Sequence, residues 1–379
     1  MAGRTRLGLA AQVLELILQR GPLSRADLRR SLGTSFSMVT FAVQDLFETG
    51  LLVESGRAVS TGGRPPEILD VAPDIGGVLA TDIGGINLRV AAADCRGTIL
   101  FKQTSDISEM SVRRIRSLAL RLNEEARTHL TGPVRAMSVS IAGIVNPVTG
   151  RVTRVDNIPG WPDDADLSWL DRFGAPLLVD NEANLAALGE HQSGIGAGVA
   201  DMMFVAMGAG VGAGLILNNT LYRGATGAAG EIGLFRKTDE DSKQWLERRT
   251  APGAIIEAYA ARGGGQVTGM EQVFERAAEG DAAAIAVVSG MVEELSVGVA
   301  NAIVLCNPAL VVIGGGLATA GEILLSPLRQ RIAGLVPAVP RIEPSKLGAD
   351  AAVLGAVRWA TDVAQQQLMT ALDGRQAHG

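Results

Sequence analysis

The chain has 379 residues, with 34 Lys and Arg against 40 Asp and Glu and a formal net charge of −6. That length is enough for two or three domains with substantial cores, and the acidic balance excludes a wholly basic nucleic-acid coat, so any contact with nucleic acid must be local. Cys95 and Cys306 are the only cysteines, which excludes a disulfide framework and predicts reduced thiols in apolar strand or helix settings.

Leu7 to Arg20 carries Leu7, Ala10, Ala11, Leu14, Ile17 and Leu18 at helical spacing and is closed by Gly21-Pro22. Arg4 and Arg6 before this run resemble a secretory signal, but Glu15 and Arg20 interrupt it and no small-residue cleavage pattern follows. No stretch reaches transmembrane length without a charge or a glycine-rich turn, so a cytoplasmic chain with no membrane partner is expected. Ser24 with Asp27 predicts a capped second helix through Leu28 to Leu32, ended by Gly33. Ser35 caps a third, with Val39, Val43, Leu46 and Phe47 on its apolar face and Gly50 after it. Leu51 to Glu54 and Ala58 to Thr61, around Ser55-Gly56-Arg57, are expected to pair as a two-stranded wing. The pattern is a winged helix-turn-helix, a shape that protein-contact modules share.

Gly62-Gly63-Arg64-Pro65-Pro66 follows. It reads either as a stiff linker or as an extended arm whose Arg64 enters an A·T-rich minor groove. From Ser31 to Gly56 there is no Lys or Arg, so the third helix would offer DNA only Ser35, Ser37, Thr40, Gln44 and their neighbours. Phosphate attraction must come from arginines outside it, Arg57 and Arg64 among them, against a nearly equal number of nearby carboxylates. Phe36 and Phe41 either meet thymine methyl groups or pack on the wing or on a partner copy.

Beyond the linker, Thr81-Asp82-Ile83-Gly84-Gly85-Ile86-Asn87 sits between an apolar run and Leu88-Arg89-Val90-Ala91, which reads as two strands joined by a tight glycine turn. Met207 to Gly214 is a second glycine turn, expected between strands Met202 to Ala206 and Leu215 to Leu217, and the two halves repeat one hairpin theme. Val311-Val312-Ile313-Gly314-Gly315-Gly316 ends a buried strand. Backbone amides in such turns can approach phosphate, although tight packing alone explains a single glycine run as well. Met291 to Leu305, Gly321 to Ile332 and Ala351 to Gln367 are expected helices.

The order and spacing of these turns, together with Asn157-Ile158-Pro159-Gly160-Trp161, Asn181-Glu182-Ala183-Asn184 and Gly230-Glu231-Ile232-Gly233, resemble the ROK family of bacterial repressors and sugar kinases from about Val78 to Asp362. The resemblance implies an α/β, two-lobed actin- and hexokinase-like domain behind the winged helix-turn-helix. The expected division is 1-70 for DNA binding and linker, then 71-379. Within the latter, the small lobe covers about 71-185 plus the C-terminal helix, and the large lobe about 186-350. It places sugar contacts on Asn157, Asn181, Glu182, Glu231 and Glu247, and phosphate-like loops at Asp82, Gly84, Gly85, Gly208, Gly210, Gly314 and Gly315. Side-chain amides and carboxylates suit the first task because each pairs with two vicinal hydroxyls. Capping or salt-bridge roles are the structural alternatives for Asn157, Asn181 and Glu231.

Three departures from the kinase pattern concern chemistry. Glu182 stands where the resemblance implies a catalytic Asp, and one methylene moves a general base by roughly 1 Å, enough to cost about a hundredfold in rate. Ile86 replaces a phosphate-bonding Thr, and Leu234 replaces the His of a zinc site whose cysteines are missing. The expectation is therefore no catalytic residue, no zinc and no ATP or magnesium, in a sugar-responsive repressor that binds operator double-stranded DNA as a homodimer or homotetramer. A regulator with an unresponsive cleft and a sugar kinase with an accessory domain are the two alternatives.

Overall fold

The computed structural model describes residues 6–57, 66–155, 157–208, 210–236, 246–316 and 320–374. Helix α1 (Arg6–Arg20) is followed by the short strand β1 (Leu23–Ser24), α2 (Arg25–Leu32) and α3 (Phe36–Glu48). Local chemistry sets these boundaries. Ser24 Oγ accepts from the Asp27 backbone N–H while the Asp27 carboxylate accepts from the Ser24 backbone N–H, both at 3.2 Å, and Gly33 takes the left-handed conformation that ends α2. Ser35 caps α3 by accepting from Met38 N–H. Val39, Ala42, Val43 and Leu46 then bury one face of α3 against Leu9, Val13, Leu14 and Ile17 of α1.

The wing differs from the expected one. Strand β2 (Leu52–Arg57) pairs antiparallel with β3 (Glu67–Val71), from Leu52 opposite Val71 to Arg57 opposite Glu67. The described partner of β2 is thus β3; the expected partner, Ala58 to Thr61, lies outside the described residues, as does Arg64. Strand β1 adds to the other edge of β3.

Two sheets of one topology follow. Strands β4 (Gly77–Ile83), β5 (Asn87–Asp94) and β6 (Ile99–Asp106) form an antiparallel meander. Helix α4 (Val112–Arg127) then leads to β7 (Val134–Ile141), which lies parallel to β4, and after the small hairpin β8 (Ile144–Val145) and β9 (Val152–Arg154), β10 (Leu177–Asn181) lies parallel to β7. Helix α5 (Glu182–Ser193) leads to the second sheet, where β11 (Met202–Met207), β12 (Val211–Leu217) and β13 (Thr220–Tyr222) form a meander. After α6 (Leu246–Thr250), α7 (Pro252–Ala261), α8 (Met270–Ala278) and α9 (Ala282–Cys306) come β14 (Leu310–Gly314), α10 (Glu322–Ala333) and β15 (Arg341–Pro344), and both strands are parallel additions to the sheet.

Gly212 and Gly214 lie inside β12 and not in a turn. A Cβ on Gly214 would stand 2.2 Å from the carbonyl oxygen of Ala183, so the glycine is required for α5 to approach the sheet. Helix α9 is long and apolar enough by composition to cross a membrane, but half of its most apolar window is buried, packed in the large-lobe core with Val311 and Ile313. It extends well to the N-terminal side of the expected Met291.

Helix α11 (Ala351–Gly374) closes the chain and runs past the expected Gln367. Its first half packs on α5 and on the small-lobe sheet through Val353, Ala356, Val357 and Ala360. The extra turns place Leu368 and Leu372 in the core of the winged domain, beside α1 residues Leu14 and Ile17. Arg96, on the β5–β6 turn, adds an ion pair to Asp70 of β3 and donates to the Ile17 carbonyl.

Candidate functional site

Between the two sheets lies a cavity of about 280 Å³. The β4–β5 turn (Gly84, Gly85, Ile86, Asn87) and the ends of β10 and α5 form one wall; Gly208, Gly210, Val211, Glu231 and Glu247 form the other. Ala351 and Ala352, at the start of α11, also line it. The structure thus brings Asn157, Asn181, Glu182, Glu231 and Glu247 into one cleft. Gly210 shows how tight the convergence is: a Cβ there would stand 2.7 Å from Asn157 Nδ2 and 3.2 Å from Glu247 Oε1. Glu247, at the beginning of α6, is also held against Gly233, and Glu231 immediately precedes the 3-10 turn Ile232–Leu234.

Asn181 lines the cavity with its polar atoms already engaged. Its oxygen accepts from the N–H groups of Ala183 and Asn184, capping α5, and its amide donates to the Gly143 carbonyl at 2.9 Å. Beside it, Asp180 pairs with Arg223 at 2.6 Å, and Arg223 lies over the Trp359 ring at 5.3 Å. That chain of contacts fixes β10 and α5 against α11.

Glu182 occupies the first turn of α5, where an N-terminal dipole favours a carboxylate. Burial outweighs that preference. One edge of Glu182 opens to the cavity, but the protein around it strips most of its hydration, and the negative charge of Asp82 adds to the effect; Arg89 opposes both. The carboxyl is pushed up to about 8. Asp82 is buried completely and pushed the same way by burial, against the hydrogen bond from Ser140 and the charge of Arg89. Because Asp82 has those two donors, the proton of the pair resides on Glu182. A neutral acid facing the cavity is a hydrogen-bond donor and not a base at pH 7.

The phosphate-like positions separate into two kinds. Gly84, Gly85, Gly208, Gly210 and Gly315 line the cavity. Gly314 does not: a Cβ there would strike the Phe204 ring at 2.1 Å, so its smallness serves packing of β14 on β11. Asp82 does not line the cavity either, and its carboxylate is committed. One oxygen accepts from Ser140 Oγ at 2.6 Å and the other from Arg89 Nη1 at 3.0 Å. The expected place of Asp82 in a phosphate-facing loop is corrected accordingly: it lies in the sheet behind the cavity wall, held by donors from β5 and β7. Zinc does not fit at the family position, where Leu234 offers no donor and buried Ile232 and Leu246 surround the turn; Trp245 lies outside the described residues.

Three residues that sequence reasoning missed sit at this end of the cleft. Arg89 lies directly opposite Asp82 in the β4–β5 pairing, a register that the tight Gly84-Gly85-Ile86 turn dictates and that counting outward from the turn would have revealed. Arg154, on β9, lines the cavity and carries no such signal. Asp350, in the 3-10 turn before α11, approaches Arg89 Nε at 4.0 Å and pairs with Lys102 of β6.

The candidate DNA-facing side chains lie on the outer face of α3. Ser35, Ser37, Thr40 and Gln44 are exposed together with Phe36 and Phe41, which are 56% and 53% exposed and so are not buried on the wing. Thr40 Oγ1 donates to the Phe36 carbonyl and Gln44 to Glu48. Arg25 is held by Glu67 at 2.6 Å. Arg57 ends β2.

Among known families, the ROK family matches residues 78–363. The xylose repressor of Caldicellulosiruptor bescii is 26% identical over 372 residues, covering 91% of this chain and 93% of the relative. A glucokinase of Halalkalibacterium halodurans is 28% identical but covers 73% of this chain. In structure, a ROK family transcriptional regulator homologous to the E. coli MLC protein covers 97% of the chain with a TM-score of 0.75 at 24% identity, and a Streptomyces griseus glucokinase in complex with glucose and AMPPNP covers 76% with a TM-score of 0.66 at 25% identity.

Proposed function

The chain belongs to the ROK family, and from that premise we propose that it is a sugar-responsive transcriptional repressor. It binds operator DNA through α3 and the wing as a homodimer or homotetramer in the cytoplasm, and takes its effector sugar in the cleft between the lobes without phosphorylating it. The observation that carries the reading is α11. This one helix begins in the cavity wall at Ala351 and Ala352 and ends in the winged-domain core at Leu368 and Leu372. A sugar that prefers one cleft geometry can act on DNA affinity only by preferring one of two states of the protein, and α11 belongs to both sites. Coverage supports the same reading: the repressor relative spans the winged domain and the ROK domain, whereas the kinases leave about a quarter of this chain unmatched.

Asn157, Glu231 and Glu247 are the proposed sugar ligands, with protonated Glu182 as a further donor. The test is operator binding by the full-length protein, measured by fluorescence anisotropy on its own upstream DNA at stated salt, with and without a sugar panel headed by xylose, the sugar named by its relatives. Glu231→Ala is expected to retain operator binding and lose the sugar response. A normal response in that variant refutes the assigned ligand set; absence of specific DNA binding together with sugar-dependent ADP release refutes the repressor reading itself.

A further inference from the structure

Phe36 and Phe41 belong neither to the cleft nor to the core of the winged domain. They stand 56% and 53% exposed on α3, among the side chains that form its outer face. With about 3.6 residues per turn, Phe36, Thr40, Gln44, Ser37, Glu48 and Phe41 follow in that order around the helix over roughly 140°. The two rings therefore mark the margins of the face, about 7.5 Å apart along the axis, with hydroxyl and amide groups between them.

Charge divides the same helix. From Phe36 to Gln44 there is no charged residue, and Asp45 and Glu48 come after. The last turn of α2, directly before α3, exposes Arg29 and Arg30; Arg30 also pairs with Asp27 at 3.4 Å. An uncharged N-terminal half beside exposed cations, with the acids at the far end, suits a polyanion that presents base edges to the start of α3 and phosphates to α2, the docking arrangement of a helix-turn-helix. The polar groups of the face are partly committed within the helix. Thr40 donates to the Phe36 carbonyl at 2.9 Å and Gln44 to Glu48 at 3.2 Å. No Lys or Arg occurs from Ser31 to Gly56, so α3 has no residue for the bidentate contact to guanine that is commonest in the major groove.

A phenyl ring selects bases by exclusion. Pressed on a base edge it cannot bond the nitrogen or oxygen it covers, and burying such an atom unpaired is costly. In the major groove thymine alone among the four bases offers an apolar group, its C5-methyl. We propose that Phe36 and Phe41 make α3 a reader of pyrimidine C5-methyl groups, so that this protein selects its operator through apolar contacts to thymine at both margins of the helix and not through pairing of arginine with guanine.

The inference rests on the operator reading of α3 and can fail while that reading stands. The experiment measures binding of the full-length protein, by fluorescence anisotropy, to its own upstream DNA and to the same duplex with every thymine replaced by deoxyuridine, which removes the methyl groups and keeps every hydrogen-bonding edge. The native protein is expected to bind the uracil duplex about fourfold more weakly for each methyl contacted. Phe36→Ala and Phe41→Ala are each expected to weaken binding to thymine DNA and, combined, to bind both duplexes alike. Both rings are on the surface, so these variants are expected to melt as the native protein does. Equal, specific binding of the two duplexes by the native protein overturns the proposal. So does a preference that survives in the double variant, since the methyl groups then act through DNA shape or another element. A double variant that falls from oligomer to monomer in gel filtration with its methyl preference intact assigns the rings to a second copy of the chain, and overturns it too. Specific binding of neither duplex removes the operator reading and the inference with it.

Discussion

Gly355→Ala tests whether α5 and α11 cross as closely as the coupling argument requires. A Cβ at 355 would stand 1.8 Å from the Leu185 carbonyl oxygen and 2.9 Å from the Gly189 backbone nitrogen. Since a close carbon–oxygen contact lies near 3.3 Å, the helices must part or slide by about 1.5 Å. Both obstructing atoms are backbone, so no side chain can swing clear, and overpacking of this kind costs about 1–3 kcal/mol. Helix propensity works the other way, because alanine is favoured over glycine by about 1 kcal/mol inside a helix. The expected net effect is a loss of about 1–2 kcal/mol, taking overpacking in the upper half of its range. Gly290→Ala on α9 is the control: it is exposed and its Cβ would meet nothing within 4 Å, so propensity alone should stabilise it by about 0.5–1 kcal/mol. Urea unfolding of both variants, followed by circular dichroism, separates the terms by sign. A Gly355→Ala protein as stable as the native one, or more so, would refute the contact and with it the reason for treating α5 and α11 as one unit. The sugar response of the same variant should be impaired, because the displaced crossing lies between the cleft and the winged domain.

The remaining expectations concern protonation and domain docking. Glu182 has its carboxyl raised from 4.5 to about 8, so the folded state holds a proton that the unfolded state releases; its contribution is fully present below about 4.5 and is lost as pH rises through about 8. Glu182→Gln should therefore flatten the decline in stability across that window, and an unchanged slope in thermal melts from pH 5 to 9 would place the titrating group elsewhere. Leu368→Ala removes a side chain buried in the winged-domain core at 3% exposure, at a cost of about 2–5 kcal/mol. Operator binding should weaken and limited proteolysis should release the winged domain, while tryptophan-monitored sugar binding survives; equal loss of sugar binding would mean that the damage is global.

What was legible in the sequence depended on the range of the interaction that writes it. The caps at Ser24 and Ser35 and the stop at Gly33 are local, and the helices they bound form where expected. The second wing strand was misplaced because its pairing with β2 is not local: Glu67–Val71 lies beyond an interruption rich in Gly and Pro, and composition there indicates only a break. Gly214 and Gly314 read as turn residues, yet α5 and Phe204 are what they accommodate, and neither neighbour is near them in the chain. The cleft residues were recognisable from their motifs, but their charge state was not. Burial of Glu182 and commitment of Asp82 follow from three strands and a helix meeting at one point, which only Arg89's register hinted at.

Contacts of the β5–β6 turn also show how the cleft and the winged domain are joined. Arg96 reaches Asp70 of the wing and the Ile17 carbonyl of α1, and Gln365 of α11 donates to the Cys95 carbonyl at 2.8 Å. Cys95 itself is buried, with its thiol donating to the Gly76 carbonyl and pushed up to about 11 by burial; it packs in the turn as a small apolar group. The β5–β6 turn therefore holds the C-terminal half of α11 and the winged domain together, while β5 carries Arg89 at its other end, against Asp82 and Asp350. A strand is a poor spring along its length, and so is a helix of 24 residues. A change in lobe closure that moves Asp350 relative to Arg89 has two stiff routes to the winged domain, β5 through Arg96 and α11 through Leu368. If both move together, the winged domain shifts as a body; if they move apart, the shared core around Leu368 and Leu372 is sheared. Either response changes the placement of α3, which is what an effector must do to alter operator affinity without touching DNA.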